Sequence, residues 1–133
     1  MNNPPSFAMS SLYVAAGGGL GAWLRYLVGR AWGASGGTGA FPYATLTVNI
    51  AGSFAMGLLA GWLARFGAHG EGWRLLLGVG VLGGFTTFSA FSLELVNMIQ
   101  RGAWGHAGGY ITLSVVGGIA GLLVGLAVVR GLA

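Results

Sequence analysis

Apolar residues occupy this chain in four long blocks, interrupted only by glycines, hydroxyl side chains and isolated charges. The blocks lie at about 11–32, 42–64, 75–99 and 106–129. A bilayer's hydrocarbon core, about 30 Å thick, takes roughly 20 apolar residues wound as a helix. Each block meets that length, so the pattern predicts an all-α membrane protein of four transmembrane helices. The connections near 33–41, 65–74 and 100–105 are short and either glycine-rich or charged. Residues 1–133 are therefore expected to form one four-helix membrane domain. So few residues precede the first block that no soluble domain is expected there. Met1-Asn2-Asn3-Pro4-Pro5 lacks the positive region of a cleaved signal peptide, so the first span is expected to stay.

The third block is not uniform. Residues 83–92 read Gly-Gly-Phe-Thr-Thr-Phe-Ser-Ala-Phe-Ser. Adjacent glycines weaken a helix, and nearby hydroxyls compete for its backbone hydrogen bonds. Within a bilayer that is tolerated only where the loosened backbone is buried in protein or lines a wet cavity. At 1.5 Å per residue Gly83 lies about 12 Å and Thr86 about 17 Å from the N-terminal face, so the third helix is expected to break near the midplane. A break frees carbonyl oxygens, which suit a hard cation such as Na⁺.

Composition and charge narrow the class. The chain is 55% hydrophobic and 6% charged, with mean hydropathy +0.78. Soluble domains carry about 25% charged residues, so a membrane protein is nearly forced. The absence of cysteine excludes thiol redox chemistry and thiolate metal sites. The net charge of +4 comes from six arginines. They are scattered singly and form no nucleic-acid surface. With four spans, Arg65, Arg74 and Arg130 fall on the N-terminal side, and Arg25, Arg30 and Arg101 on the other. The positive-inside rule needs an imbalance and finds none. Either another determinant sets the orientation, or the chain inserts both ways and pairs with itself upside down.

The polar residues inside the blocks are few. Thr45, Asn49 and Ser53 recur every fourth position and share one helix face. They either glue helices together or form a polar track, and the Asn49 amide is a donor suited to an anion. Phe88 and Phe91 present a joint aromatic face among Thr86, Thr87, Ser89 and Ser92. Ring edges carry partial positive charge and can attract an anion without a lysine's grip. Tyr110 and Ser114 share a face and extend the track. Glu94 is the one carboxylate inside a block. Intramembrane acids are functional candidates, so Glu94 either lines a vestibule with Arg25 or pairs with it structurally. Arg25 itself either snorkels or faces water. Glycines such as Gly17/Gly21, Gly57/Gly61 and Gly117/Gly121/Gly125 have the spacing of packing ridges; they imply tight contacts within and between subunits and suggest an oligomer. His69 and His106 sit at block edges as interface residues, and Glu71 lies in a solvated loop. Trp23, Trp32, Trp62, Trp73 and Trp104 fall mostly near the ends, as anchors do.

These residues together resemble the bacterial CrcB, or Fluc, fluoride channels. The resemblance covers essentially the whole chain. It rests on Gly21-Ala22-Trp23-Leu24-Arg25-Tyr26, on Thr45 to Ser53, on the Gly83–Ser92 run with Glu94, and on Arg101-Gly102. It implies an antiparallel, dual-topology homodimer in the bacterial inner membrane, with two fluoride paths and a structural Na⁺ on the two-fold axis. The carbonyls of Gly83 and Thr86 from both subunits would hold that Na⁺. Asn49 would meet fluoride, Phe88 and Phe91 would form an aromatic box, and Tyr110 and Ser114 would continue the track. The family often carries a further serine one turn after Ser114, where this chain has Gly118.

The function so implied is passive efflux of fluoride that has entered as HF, with no energy-coupling motif. From the residues alone the reading reaches a small anion. One rival is a dual-topology small-molecule/proton antiporter using Glu94. Another is a membrane subunit that packs but transports nothing.

Overall fold

A computed structural model describes residues 5–33, 41–65 and 70–131. His69, residues 1–4 and the glycine-rich connection at 34–40 lie outside them. Four helical segments are long and apolar enough to cross a membrane: Phe7–Gly33, Tyr43–Leu63, Glu71–Gln100 and Trp104–Gly131. The chain is thus an all-helical, multi-pass membrane protein. We name α1 Phe7–Gly33, α2 Tyr43–Leu63, α4 Phe88–Gln100 and α5 Trp104–Gly131. Between α2 and α4, α3 comprises the consecutive helical stretches Glu71–Trp73, Arg74–Leu82 and Gly83–Phe85.

The first, third and fourth spans run somewhat beyond their apolar blocks, while α2 stays within its own. At the start of α1 the Ser10 and Ser11 hydroxyls donate back to the Pro5 and Phe7 carbonyls, 3.4 and 2.8 Å away, so polar residues do not end the helix. Glu71 belongs to the first turn of α3 and not to a solvated loop. Both of its carboxylate oxygens accept from Arg74, each at 2.8 Å. An acid in the first turn also complements the helix dipole. The middle of α3, Arg74–Leu82, is wound as a π-helix. Apolar periodicity carried no sign of this.

Two close helix pairs make up the subunit: α1 lies along α3, and α2 lies along α5. Glycines set both contacts. A Cβ on Gly17 would collide with the Leu76 carbonyl, one on Gly21 with that of Val81, and one on Gly84 with that of Gly18. Along the second pair, Gly57 faces the Leu122 carbonyl and Gly125 that of Phe54. Gly117 lies against Ile50, and Gly61 against Val129. These glycines make their close contacts within one chain. Because residue 50 faces 117 and residue 61 faces 129, α2 and α5 run parallel. Arg65 closes the far end of that pair with a 2.6 Å bond from Nη2 to the Val129 carbonyl.

The turn from α4 to α5 takes only three residues. Gly102 has φ +73. Its N–H bonds the Ile99 carbonyl at 2.9 Å, and the Ala103 N–H bonds that of Met98 at 2.9 Å. This is the Schellman closure, which calls for glycine at the left-handed position. It swings α5 back so that Tyr110 lies across from α4, with Met98, Ala107 and Tyr110 as a buried apolar cluster. Aromatic pairs mark the helix ends, with Trp32 stacked on Tyr43 at 5.8 Å and Trp62 edge-on to Trp73 at 6.3 Å.

The packing predicts a sharp contrast within α1. Gly21→Ala should lower the unfolding free energy in detergent by about 1–3 kcal/mol, the usual cost of overpacking. Gly29→Ala should change little, since a Cβ there meets nothing within 4 Å. Equal melting temperatures for the two variants would contradict the α1–α3 contact.

Candidate functional site

Helical hydrogen bonding ends at Thr86, whose N–H makes the last bond to the carbonyl four residues back. Thr86 has φ −78 and ψ 159, Thr87 has φ −151 and ψ 125, and both are extended. The helix resumes at Phe88, capped by Thr87, whose Oγ1 accepts the Ala90 N–H at 3.2 Å. The Thr86 hydroxyl and N–H both return to the Leu82 carbonyl, at 2.9 and 3.0 Å. An extended pair between two helices leaves backbone groups without helical partners, and in an apolar setting each such group costs several kcal/mol.

Asn49 meets part of that need. Its Oδ1 accepts the Thr87 N–H at 2.8 Å, and its Nδ2 donates to the Thr87 carbonyl at 3.0 Å. The side-chain amide thus pairs with one residue's backbone as a neighbouring strand would. One Nδ2 hydrogen is left over. Asn and Gln carry an NH2 donor and a carbonyl acceptor side by side on one planar group, the arrangement this pairing uses.

The break opens a cleft of about 340 Å³ between α2, α4 and α5. Asn49, Ser53, Thr86, Phe88, Phe91 and Ser114 line it, with Gly52, Met56, Thr87, Val115 and Leu122. Among these lining residues none is charged. The Ser114 Oγ is shielded from solvent and has no hydrogen-bond partner among the described residues. Phe88 and Phe91 have ring centroids 5.8 Å apart and planes inclined at 38°. Phe91 is partly buried, whereas Phe88 is 80% exposed on this chain.

One turn away, Glu94 joins three helices. Its Oε1 accepts from the Thr45 hydroxyl and its Oε2 from the Tyr110 hydroxyl, both at 2.7 Å. Tyr110 is fully buried and lies against Phe91, with centroids 4.9 Å apart. Tyr110 is therefore behind the cleft wall, and of the proposed Tyr110–Ser114 row only Ser114 lines the cleft. Of the two alternatives for Glu94, the ion pair with Arg25 does not form within the subunit. Among the described residues the salt bridge is Arg74–Glu71, and Arg25 is half-buried on α1. His106 is exposed at the start of α5 beside Phe41, ring centroids 6.4 Å apart.

Gly83 is exposed and its carbonyl is of interest for another reason. The N–H four residues on, that of Thr87, goes to Asn49. The N–H four residues beyond Thr86, that of Ala90, goes to the Thr87 hydroxyl. Both carbonyls thus lose the partner a continuous helix would give them.

Of the residues that the sequence grouped as an anion path, Asn49, Phe88, Phe91 and Ser114 line this one cleft and Tyr110 does not. Sequence reasoning missed two linkages, Asn49 to the Thr87 backbone and Glu94 to the Thr45 and Tyr110 hydroxyls. The available signal was the four-residue spacing of Thr45 and Asn49, which puts one against α4 and the other against the break.

The chain was compared with known proteins. The family model described as "CrcB-like protein, Camphor Resistance (CrcB)" matches residues 12–126. A relative from Novosphingobium aromaticivorans named "Fluoride-specific ion channel FluC" is 54% identical over 125 residues, covering 93% of this chain and 98% of that one. The protein of the same name from Caulobacter vibrioides is 55% identical over 120 residues, 90% and 94% of the two chains. That from Rhodospirillum centenum is 53% identical over 119 residues, 90% and 94%.

The Glu94 node predicts a specific loss. Tyr110→Phe removes the donor to Oε2 and leaves that oxygen unpaired. The thermal stability of the purified protein should fall by about 0.5–2 kcal/mol, the range for hydrogen bonds between membrane helices. An unchanged melting temperature would contradict the bond.

Proposed function

The chain belongs to the CrcB-like family, and on that premise we propose that it is a fluoride-specific channel giving passive F⁻ efflux and protecting a bacterial cell from fluoride. It is not an enzyme. Acid surroundings convert fluoride to HF, which crosses lipid and dissociates inside. A selective leak then lets the inside-negative potential expel the anion. The observation that carries this reading is the cleft: its donors are neutral amide and hydroxyl groups beside phenylalanine edges, with no arginine among the lining residues. Conduction needs sites that attract an ion yet release it, and weak neutral donors meet both demands. The remaining Nδ2 hydrogen of Asn49 and the unpartnered Ser114 hydroxyl are the natural first contacts. Arg25 and Glu94 belong to a vestibule in this reading, with Tyr110 set behind the track.

The working unit is an antiparallel homodimer of dual-topology chains in the bacterial inner membrane. The balanced arginine count supports it, as does Phe88, whose exposed ring leaves the aromatic pair open on one side. A structural Na⁺ fits the same assembly. The carbonyls of Gly83 and Thr86 lack their next-turn N–H partners, and carbonyl oxygens are hard donors suited to such an ion. One chain offers two of them, so a second copy is needed to complete a shell. Within the subunit a Cβ on Gly83 meets the Gly78 carbonyl at an ordinary 3.7 Å. Any intolerance of substitution there would come from the partner. The antiporter reading finds less support, because both oxygens of Glu94 are bound to hydroxyls and the curated relatives bear a channel's name.

Liposomes containing only this protein should release loaded fluoride rapidly and chloride hardly at all. Asn49→Asp, Phe88→Ile and Phe91→Ile should each slow fluoride release. Replacing Na⁺ by a large organic cation on both sides should lower flux and dimer stability, and tags at the C-terminus should report on both membrane faces. Equal fluoride and chloride flux would overturn the channel reading. Unchanged flux and stability without Na⁺ would remove the cation, and a single tag orientation would remove the dual topology.

A further inference from the structure

Hydroxyls on these helices usually bond their own backbone. Ser11, Thr86, Ser92 and Thr112 each donate to the carbonyl four residues earlier, at 2.8 to 2.9 Å. Ser53 and Ser114 make no such bond among the described residues, and both line the cleft. They stand on different helices. Ser53 is one turn beyond Asn49 on α2, and Ser114 is one turn before Gly118 on α5. Because α2 and α5 run parallel, Ser53 lies opposite Gly118. A Cβ built on Gly118 would sit 3.4 Å from the Ser53 Oγ, in ordinary contact.

We propose that Ser53 is a hydroxyl donor of the anion path, forming with Ser114 a subsite for a small hydrogen-bond-accepting anion one turn beyond Asn49, and that the missing side chain of Gly118 leaves its hydroxyl uncovered. The inference rests on the fluoride-channel reading and deepens it. An anion that leaves Asn49 needs successive donors within reach, since in an apolar surround an unpaired charge is very costly. Ser114 supplies one from α5. On that helix the next turn, at Gly118, supplies none. Ser53 fills the gap from the facing helix, at the same level. The uncharged pair repeats the chemistry of the rest of the cleft: O–H donors that can rotate toward an ion and release it.

The test is fluoride efflux from liposomes holding wild type, Ser53→Ala, Ser53→Cys and the double variant Ser53→Ala/Gly118→Ser. Ser53→Ala should slow efflux about tenfold, the order expected for losing one hydrogen bond to a charged group. Ser53→Cys keeps a side chain in the same place but offers only a weak donor, and should slow it similarly. The double variant returns a hydroxyl to the same place from α5, and its rate should come back to within about twofold of wild type, as one restored bond requires. Wild-type rates in both single variants would overturn the proposal. A double variant as slow as Ser53→Ala, with both proteins eluting as folded material, would overturn it as well. Absence of fluoride efflux from the wild type itself would instead sink the channel reading beneath it.

Discussion

A helix that stops inside hydrocarbon must find partners for the backbone groups it abandons, and here the Asn49 side chain supplies them. Its amide bonds both the N–H and the carbonyl of Thr87. Without that pairing the extended Thr86-Thr87 segment would carry a large penalty, since no water is at hand to replace the lost bonds. Most other features of the site depend on it. The pairing diverts the N–H that would have closed on the Gly83 carbonyl. It fixes Thr87 where its hydroxyl caps α4. It thereby sets the direction in which α4 carries Phe88 and Phe91 into the cleft.

The rest of the fold keeps the break from collapsing. Glycine-lined contacts bring α2 so close to α5 that Gly57 and Gly125 each touch the facing backbone. Glu94 then ties α4 to both helices through the Thr45 and Tyr110 hydroxyls. Replacing a buried donor or acceptor in such a node leaves its partner unsatisfied, which is costlier than the bond itself. A carboxylate that invites a proton-exchange role therefore has a clear structural one. The cleft that remains is apolar in outline, with a few neutral donors. That is the usual make-up of a site that must select a ligand without holding it.

Much of this was legible in the sequence, for reasons of period and composition. Four apolar blocks gave four helices because a bilayer imposes a length on each. Gly83-Gly84 followed by hydroxyls marked the irregular third segment, and of the polar and aromatic residues that spacing singled out, Asn49, Phe88, Phe91 and Ser114 line one cleft while Tyr110 does not. The π-wound stretch Arg74–Leu82 was not legible, since a helix that packs on α1 through Gly80 and on Leu59 of α2 through Gly78 shows no special apolar period. For Glu94 the residues alone left two alternatives open, a vestibule role and an ion pair with Arg25, because charge was the only signal available. The true partners are neutral hydroxyls, which sequence places only when the register of α2 and α5 against α4 is known. Glycine spacing suggested close contacts within and between subunits, and Gly17, Gly21, Gly57 and Gly125 make theirs inside one chain. Spacing marks close approach and does not say whose helix approaches.

The most direct test of this account is amide-proton exchange at Thr87 in the bilayer-embedded protein, measured by site-resolved NMR for wild type and Asn49→Ala. The account predicts a Thr87 N–H that exchanges slowly in the wild type, although it belongs to no helix, and much faster in the variant, with the amides of α2 unchanged. Rapid exchange at Thr87 in the wild type, or equal protection in both proteins, would contradict it.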